Sequence, residues 1–203
     1  KRPAILIGSG VKNAKCIDEF TKFVNRYQIP VVFTSSGTSI LGSEVKFSIG
    51  SIGSQGCSRE GAFTVQNCDL LIVLGSRLNS LTIGLDVKKF ARSARKIIID
   101  IDINEYKKNK FQNSEIILAD LKFFLKKMNQ KKVTIKWKKW IQKCLKWKRI
   151  FKNKNDILGG SKNINLYELS EVFSKKLPSN SVFLCDSGFI DVILPTNIRF
   201  KKK

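Results

Sequence analysis

The sequence predicts an α/β fold, a doubly wound, mostly parallel sheet with helices on both faces. Two observations carry this. First, Asp69-Leu70-Leu71-Ile72-Val73-Leu74-Gly75 and Lys96-Ile97-Ile98-Ile99-Asp100-Ile101-Asp102 are near-continuous branched apolar runs, as strands covered on both faces require. Second, short apolar runs alternate along the chain with segments of helical spacing, the order that builds parallel crossovers. In open sheets of this kind ligands sit past the carboxyl ends of the strands. Gly75, Ser76 and Arg77 at one strand end, and Asp100 and Asp102 at the other, are therefore candidate cofactor contacts.

The elements follow in order. Residues 4–7 form a first strand running into Gly8-Ser9-Gly10-Val11, where glycine permits a tight turn and close backbone approach. Gly8, Ser9 and Gly10 join the candidate contacts, with backbone amides from 8 to 11 facing a pyrophosphate. Residues 14–27 carry Ile17, Phe20, Phe23, Val24 and Tyr27 at helical spacing. A strand over 29–34 accepts Pro30 at its start and opens into a small polar run, Ser35-Ser36-Gly37-Thr38-Ser39, suited to lining a cleft. Residues 47–61 hold Gly50, Gly53, Gly56 and Gly61 and read as a functional or mobile loop, with Gly53 as a further contact. A helix over 60–68 leads into the 69–75 strand. Then come a loop over 78–84, a short helix over 87–94, the 96–101 strand, a helix start at 102–105, and a last short strand over 116–119. Asp120 caps a helix with Leu121, Phe124, Leu125 and Met128 on one face.

Three domains are expected: an α/β nucleotide-binding-like domain over 1–128, a basic tryptophan-bearing linker over 129–164, and the start of a further α/β unit over 165–203. In the linker, Trp137, Trp140, Cys144 and Trp147 share one helical face, expected to pack an aromatic stripe on a neighbouring domain. Residues 166–173 form an amphipathic helix and residues 181–186 a strand opening into Ser187-Gly188.

Composition narrows the function classes. With 42% hydrophobic and 27% charged residues the chain is an ordinary globular one. No apolar run reaches the ~18 residues of a membrane helix, and the opening apolar segment is too short for a signal peptide, so a cytoplasmic protein is expected. Lacking an initiator Met, the chain reads as part of a longer polypeptide. Five widely spaced cysteines without a C-x-x-C pair imply reduced structural thiols. The absence of histidine excludes Ser-His and Cys-His catalysis by this chain and leaves no ordinary zinc ligand cluster. No metal ligands and no catalytic residues are assigned.

The formal charge of +22 is concentrated, since residues 121–155 hold 14 Lys or Arg and no Asp or Glu. Nucleic-acid binding would want arginines at base edges or aromatic platforms. A lysine excess of this kind reads instead as a solvated face with weak affinity for polyanions at low salt. A basic nucleic-acid-binding domain and a degenerate, non-catalytic α/β domain stand as the alternative functions.

Several stretches together carry a resemblance: 3–11, 29–32, the 50–56 loop, Ala62-Phe63-Thr64-Val65-Gln66-Asn67-Cys68-Asp69 through Gly75-Ser76-Arg77-Leu78, and Ile98-Ile99-Asp100-Ile101-Asp102. In this combination the chain resembles the central domain, linker and beginning of the C-terminal domain of thiamine-diphosphate-dependent enzymes of the acetolactate synthase group. The resemblance implies a 2-keto acid carboligase or decarboxylase that assembles as a homo-oligomer, a dimer or tetramer, and uses thiamine diphosphate and Mg²⁺. Its activating glutamate and Mg²⁺-diphosphate motif would lie in domains this sequence does not contain, so this chain alone is expected to be inactive. The resemblance places Asp186, Ser187 and Gly188 near the diphosphate as peripheral contacts, although Phe189 and Ile190 follow where polar residues are usual. It also implies FAD or ADP in the central domain of some members. Gly75-Ser76-Arg77 is kept, but Asn79 and Leu81 replace the acid and the second arginine of flavin-binding forms. The sequence leaves open whether a nucleotide site or only its fold has been retained. NAD-dependent deacylases and deoxyhypusine synthase relatives share such a domain, but the deacylases need a histidine base.

Overall fold

A computed structural model describes residues 1–41, 45–54, 57–107, 111–151 and 163–199. The chain runs β1 (Pro3–Ile7), α1 (Gly10–Asn13), α2 (Ile17–Tyr27), β2 (Val31–Phe33), β3 (Ser48–Ser51), α3 (Arg59–Asn67), β4 (Leu70–Leu74), α4 (Ser80–Ile83), β5 (Arg95–Asp100), α5 (Asn104–Lys107), β6 (Ser114–Leu118), α6 (Leu121–Gln130), α7 (Lys138–Ile150), α8 (Leu166–Lys176) and α9 (Phe189–Asn197). Six strands form one sheet in the order β3-β2-β1-β4-β5-β6, and every pairing is parallel. This is the expected doubly wound α/β sheet.

The alternation of the strands divides the core between two layers. Leu6 stands in register with Val32 and Val73, and Val73 with Ile98. These residues face α3 and α7, packing with Val65, Cys68, Trp140 and Cys144. One residue out of phase, Ile5, Ile7, Val31, Leu74 and Ile99 face the opposite way, onto Phe20, Phe23 and Val24 of α2 and Leu121 and Leu125 of α6. All five residues of β1 are buried, which places it between two helical layers. That double coverage explains why its sequence is apolar without interruption.

The helices of the second layer are joined by polar contacts as well. The Tyr27 hydroxyl donates to the Met128 carbonyl at 2.9 Å, and the Asn129 amide to the Glu19 carbonyl at 2.9 Å. The tryptophan face of α7 seats on the sheet itself: the Trp140 indole N–H donates to the Pro3 carbonyl at 2.9 Å. Trp137 donates to the carbonyls of Tyr27 and Gln28, each at 3.1 Å. Its exposed face carries Lys138, Lys139, Lys143, Lys146 and Arg149, the solvated cations expected from the charge pattern. Helices α8 and α9 pack on each other, and α9 reaches β3 and the 3₁₀ turn Ser35–Gly37.

Four local differences from the sequence reading have physical causes. Residues 48–51 are a strand, not loop: Ser48-Ile49-Gly50-Ser51 has low intrinsic β preference, but all four residues are buried, and packing overrides propensity. Residues 87–94 form only the 3₁₀ turn Val87–Lys89, because the backbone turns extended at Phe90 (ψ 119°) and Ala91 then takes a left-handed φ of 44°. Residues 181–186 are not a strand; Val182 and Leu184 stand exposed, with no neighbouring strand among the described residues. Finally, the helix expected over 14–27 begins only at Ile17, because the left-handed Lys15 (φ 49°) separates α2 from the preceding turn α1.

Candidate functional site

The sheet order reverses between β1 and β4: successive strands are laid outward from β1 to β3, and then on its other side from β4 to β6. Loops leaving the carboxyl ends of adjacent strands diverge at such a point and leave a crevice. A cleft of about 760 Å³ lies there, within the range of small-molecule sites. It is lined by the ends of β1 (Gly8, Ser9, Gly10), β2 (Thr34, Ser36), β4 (Gly75, Ser76, Arg77, Leu78), β5 (Asp100, Ile101, Asp102) and β6 (Ala119, Asp120).

Of the residues expected at a site, the fold brings eight into this cleft: Gly8, Ser9, Gly10, Gly75, Ser76, Arg77, Asp100 and Asp102. Gly53 follows β3 and is not among the lining residues; its neighbour Ser54 donates its N–H to the Leu81 carbonyl at 2.7 Å, bracing α4 at the cleft wall. Asp186, Ser187 and Gly188 are exposed and line neither this cleft nor the one against β3. Asp186 Oδ1 accepts from the Ser187 N–H at 2.7 Å, and a side chain built on Gly188 would meet nothing within 4 Å. By themselves these three do not form a diphosphate pocket.

The first turn is held by its own backbone. The Gly8 N–H donates to the Leu74 carbonyl at 3.1 Å and the Gly10 N–H to the Gly75 carbonyl at 3.0 Å. Val11 donates to Gly8, and Lys12 and Asn13 donate to Ser9. The glycines are therefore needed for contact between two strand ends. A Cβ on Gly10 would lie 2.6 Å from Gly75 Cα, and Gly75 itself takes φ +56°.

At the other end of the cleft each aspartate is anchored by backbone. Asp100 Oδ1 accepts from the Ile101 and Asp102 N–H groups at 2.7 and 3.1 Å. Asp102 Oδ1 accepts from the Asn104 N–H at 2.9 Å, and Asp120 Oδ1 caps α6 through the Phe123 N–H at 2.9 Å. Asn79 caps α4, accepting from the Thr82 N–H and hydroxyl at 3.1 and 2.9 Å. Leu78, fully buried, holds a left-handed φ of 49°, a conformation that costs a side-chain-bearing residue about 1–2 kcal/mol.

Sequence reasoning did not assign Leu78, Asn79, Thr82, Glu105 or Asp120 to the site. For Asp120 the signal was present in its position one residue past a strand end, but its capping role was the only one read from it. Leu78 gives no signal, because a leucine at positive φ looks like any other leucine in sequence.

Residues 1–128 match the family model described as thiamine pyrophosphate enzyme, central domain. The chain belongs to this family. Among curated relatives, the acetolactate synthase large subunit of Lactococcus lactis is 33% identical over 148 residues, covering 72% of this chain and 25% of that protein. That of Parasynechococcus marenigrum is 30% identical, covering 73% of this chain and 24% of its own length. The probable acetolactate synthase large subunit of Methanococcus aeolicus is 34% identical over 129 residues, 63% of this chain and 21% of that protein. The chain thus matches about a quarter of the length of these relatives. The switch-point cleft is a feature of this thiamine pyrophosphate enzyme central domain itself, formed wholly by residues within the matched segment. Among the described residues no helix is long and apolar enough to cross a membrane, and no cluster of His, Cys, Asp and Glu has the arrangement of a metal site.

Proposed function

We propose that this chain is the middle domain of a thiamine-diphosphate- and Mg²⁺-dependent carboligase or decarboxylase acting on a 2-keto acid, cytoplasmic and homo-oligomeric. The observation that carries the reading is the match of residues 1–128 to the central-domain family, together with relatives that are acetolactate synthase large subunits. Division at residues 128 and 164 into central domain, linker and the start of a diphosphate-binding domain is part of the same proposal. Asp186, Ser187 and Gly188 do not enclose a cofactor, so no step of the reaction is assigned to this chain. Its part is structural and, through the switch-point cleft, nucleotide-binding.

The family resemblance implies two candidate nucleotides for the cleft, FAD and ADP. Asp100 and Asp102 offer carboxylate oxygens suited to ribose hydroxyls, and the exposed Ile101 gives apolar surface for a ring. This fits the adenosine portion of FAD or ADP. The diphosphate portion fits poorly, because the Gly8, Gly10 and Val11 amides of the first turn already donate within the protein.

The test is an assay of CO₂ release from pyruvate and larger 2-keto acids with thiamine diphosphate and Mg²⁺. A complete polypeptide containing this segment is expected to release CO₂ and the 203-residue chain to release none. Turnover by the chain alone would overturn the division of labour. No turnover by the complete polypeptide on any 2-keto acid would overturn the carboligase or decarboxylase reading.

A further inference from the structure

The switch-point cleft is acidic in a strongly basic chain. Among the described residues its lining includes Asp100, Asp102, Glu105 and Asp120 and one cation, Arg77, while the whole chain carries +22. Surplus positive charge has been placed elsewhere, chiefly on residues 121–155. Asp120 is the most telling of the four. It lines the cleft together with Gly8, Gly10 and Gly75 while its Oδ1 caps α6 through the Phe123 N–H at 2.9 Å, so it adds a negative charge to the cleft into which the β1 and β4 turns open.

Anion binding at such a turn depends on N–H groups pointing outward and on the dipole of the following helix. Here the N–H groups of Gly8, Gly10, Val11, Lys12 and Asn13 all donate within the protein, and α1 is a single turn of four residues. Hydroxyl and amide groups of Ser9, Thr34, Ser36, Ser76, Asn79 and Thr82 complete the lining. These groups suit a neutral, hydroxyl-bearing ligand.

We propose that the cleft selects a nucleoside, a base carrying an unsubstituted ribose, and discriminates against a diphosphate through Asp120 and the closed β1 turn. This rests on the nucleotide-binding reading of the cleft. It also assigns the chain a preference opposite to that of a site built around pyrophosphate.

The test is calorimetric titration of the 203-residue chain with adenosine, ADP and FAD in low-salt, Mg²⁺-free buffer, repeated on Asp120→Asn. Asparagine keeps the helix cap while removing the charge. Adenosine is expected to bind at least as tightly as ADP and FAD, and Asp120→Asn to improve ADP about tenfold relative to adenosine, a change of ~1.4 kcal/mol. ADP binding tenfold or more tighter than adenosine would overturn the inference while leaving the nucleotide reading intact. No binding of any of the three at millimolar concentration would remove both. An unchanged ADP-to-adenosine ratio in Asp120→Asn would overturn the role of Asp120. If that variant does not fold, the wild-type ratio decides the selectivity alone.

Discussion

Gly8 and Gly75 meet backbone to backbone: a side-chain carbon on Gly8 would stand 2.5 Å from the Gly75 carbonyl oxygen and 2.8 Å from Ser76 Cα. Neither neighbour is the end of a flexible side chain, so the two strand-end turns would have to separate. Overpacking of this kind costs about 1–3 kcal/mol. Gly8→Ala is expected to lower the unfolding free energy measured in urea by that amount and, because both turns line the cleft, to weaken nucleoside binding in parallel. Unchanged stability would show that the turns are not in contact.

Trp140 joins α7 to the central sheet through one hydrogen bond and a buried ring. Its indole N–H donates to the Pro3 carbonyl at 2.9 Å, and its ring meets Trp147 edge-on at 5.6 Å. Trp140→Phe keeps most of the apolar volume and leaves the Pro3 carbonyl unpaired, for an expected loss of about 1–3 kcal/mol. Trp140→Ala is expected to cost about 3–5 kcal/mol. Equilibrium denaturation of both variants measures how firmly α7 belongs to the sheet. If α7 were only a solvated linker, both would be near neutral.

The contrast between α7 and β3 shows what the sequence made legible. Tryptophans at helical spacing among lysines marked both the buried and the solvated face of α7, because amphipathic periodicity is a local signal. β1, β4 and β5 were legible for a related reason, as burial on two faces demands long branched apolar runs. β3 was not, since its Ser-Ile-Gly-Ser sequence carries no such run. Its burial comes from α3, α7 and α9, which arrive from distant parts of the chain. The cleft was legible only in part: Arg77, Asp100 and Asp102 sit at strand ends that the sequence located. Leu78 and Asp120 enter it through a backbone conformation and a cap orientation that only the assembled sheet fixes.

The thiols divide by environment. Burial pushes Cys16 up to about 11 and Cys68 and Cys144 up to about 12, and the three side chains are buried. Because the thiolate is the reactive form, iodoacetamide at pH 8 is expected to label none of these three in the native chain and all three in urea. Cys57 and Cys185 are partly exposed and are expected to label first. Mass mapping of the modified peptides reads the order directly, and early labelling of Cys68 or Cys144 would contradict the packing of α3 against α7.

Glu60 gives the fold its sharpest pH dependence. It lies in the first turn of α3 and lines the second cleft, about 430 Å³, between β3, α7 and α8. Burial raises its pKa from 4.5 to about 7, opposed by hydrogen bonding to its own backbone and by Lys148, Ser58 and Arg59. Its Oε2 is buried with no hydrogen-bond partner. Because the folded value is raised, the native chain holds a proton between pH 4.5 and 7 that the unfolded chain has released. Stability therefore falls as pH rises through that window and stays at its lower level above it. The full shift corresponds to about 3 kcal/mol, an upper figure because neighbouring cations relax with the ionised form. Glu60→Gln removes the titration, so its stability is expected to be level across pH 5–8 while that of the wild type declines, with the two curves furthest apart at pH 8. Lys148→Met is expected to steepen the wild-type decline, since Lys148 favours the ionised form. Urea denaturation of the three proteins at half-unit pH steps measures this, and parallel curves for wild type and Glu60→Gln would show that the side chain is solvated rather than buried.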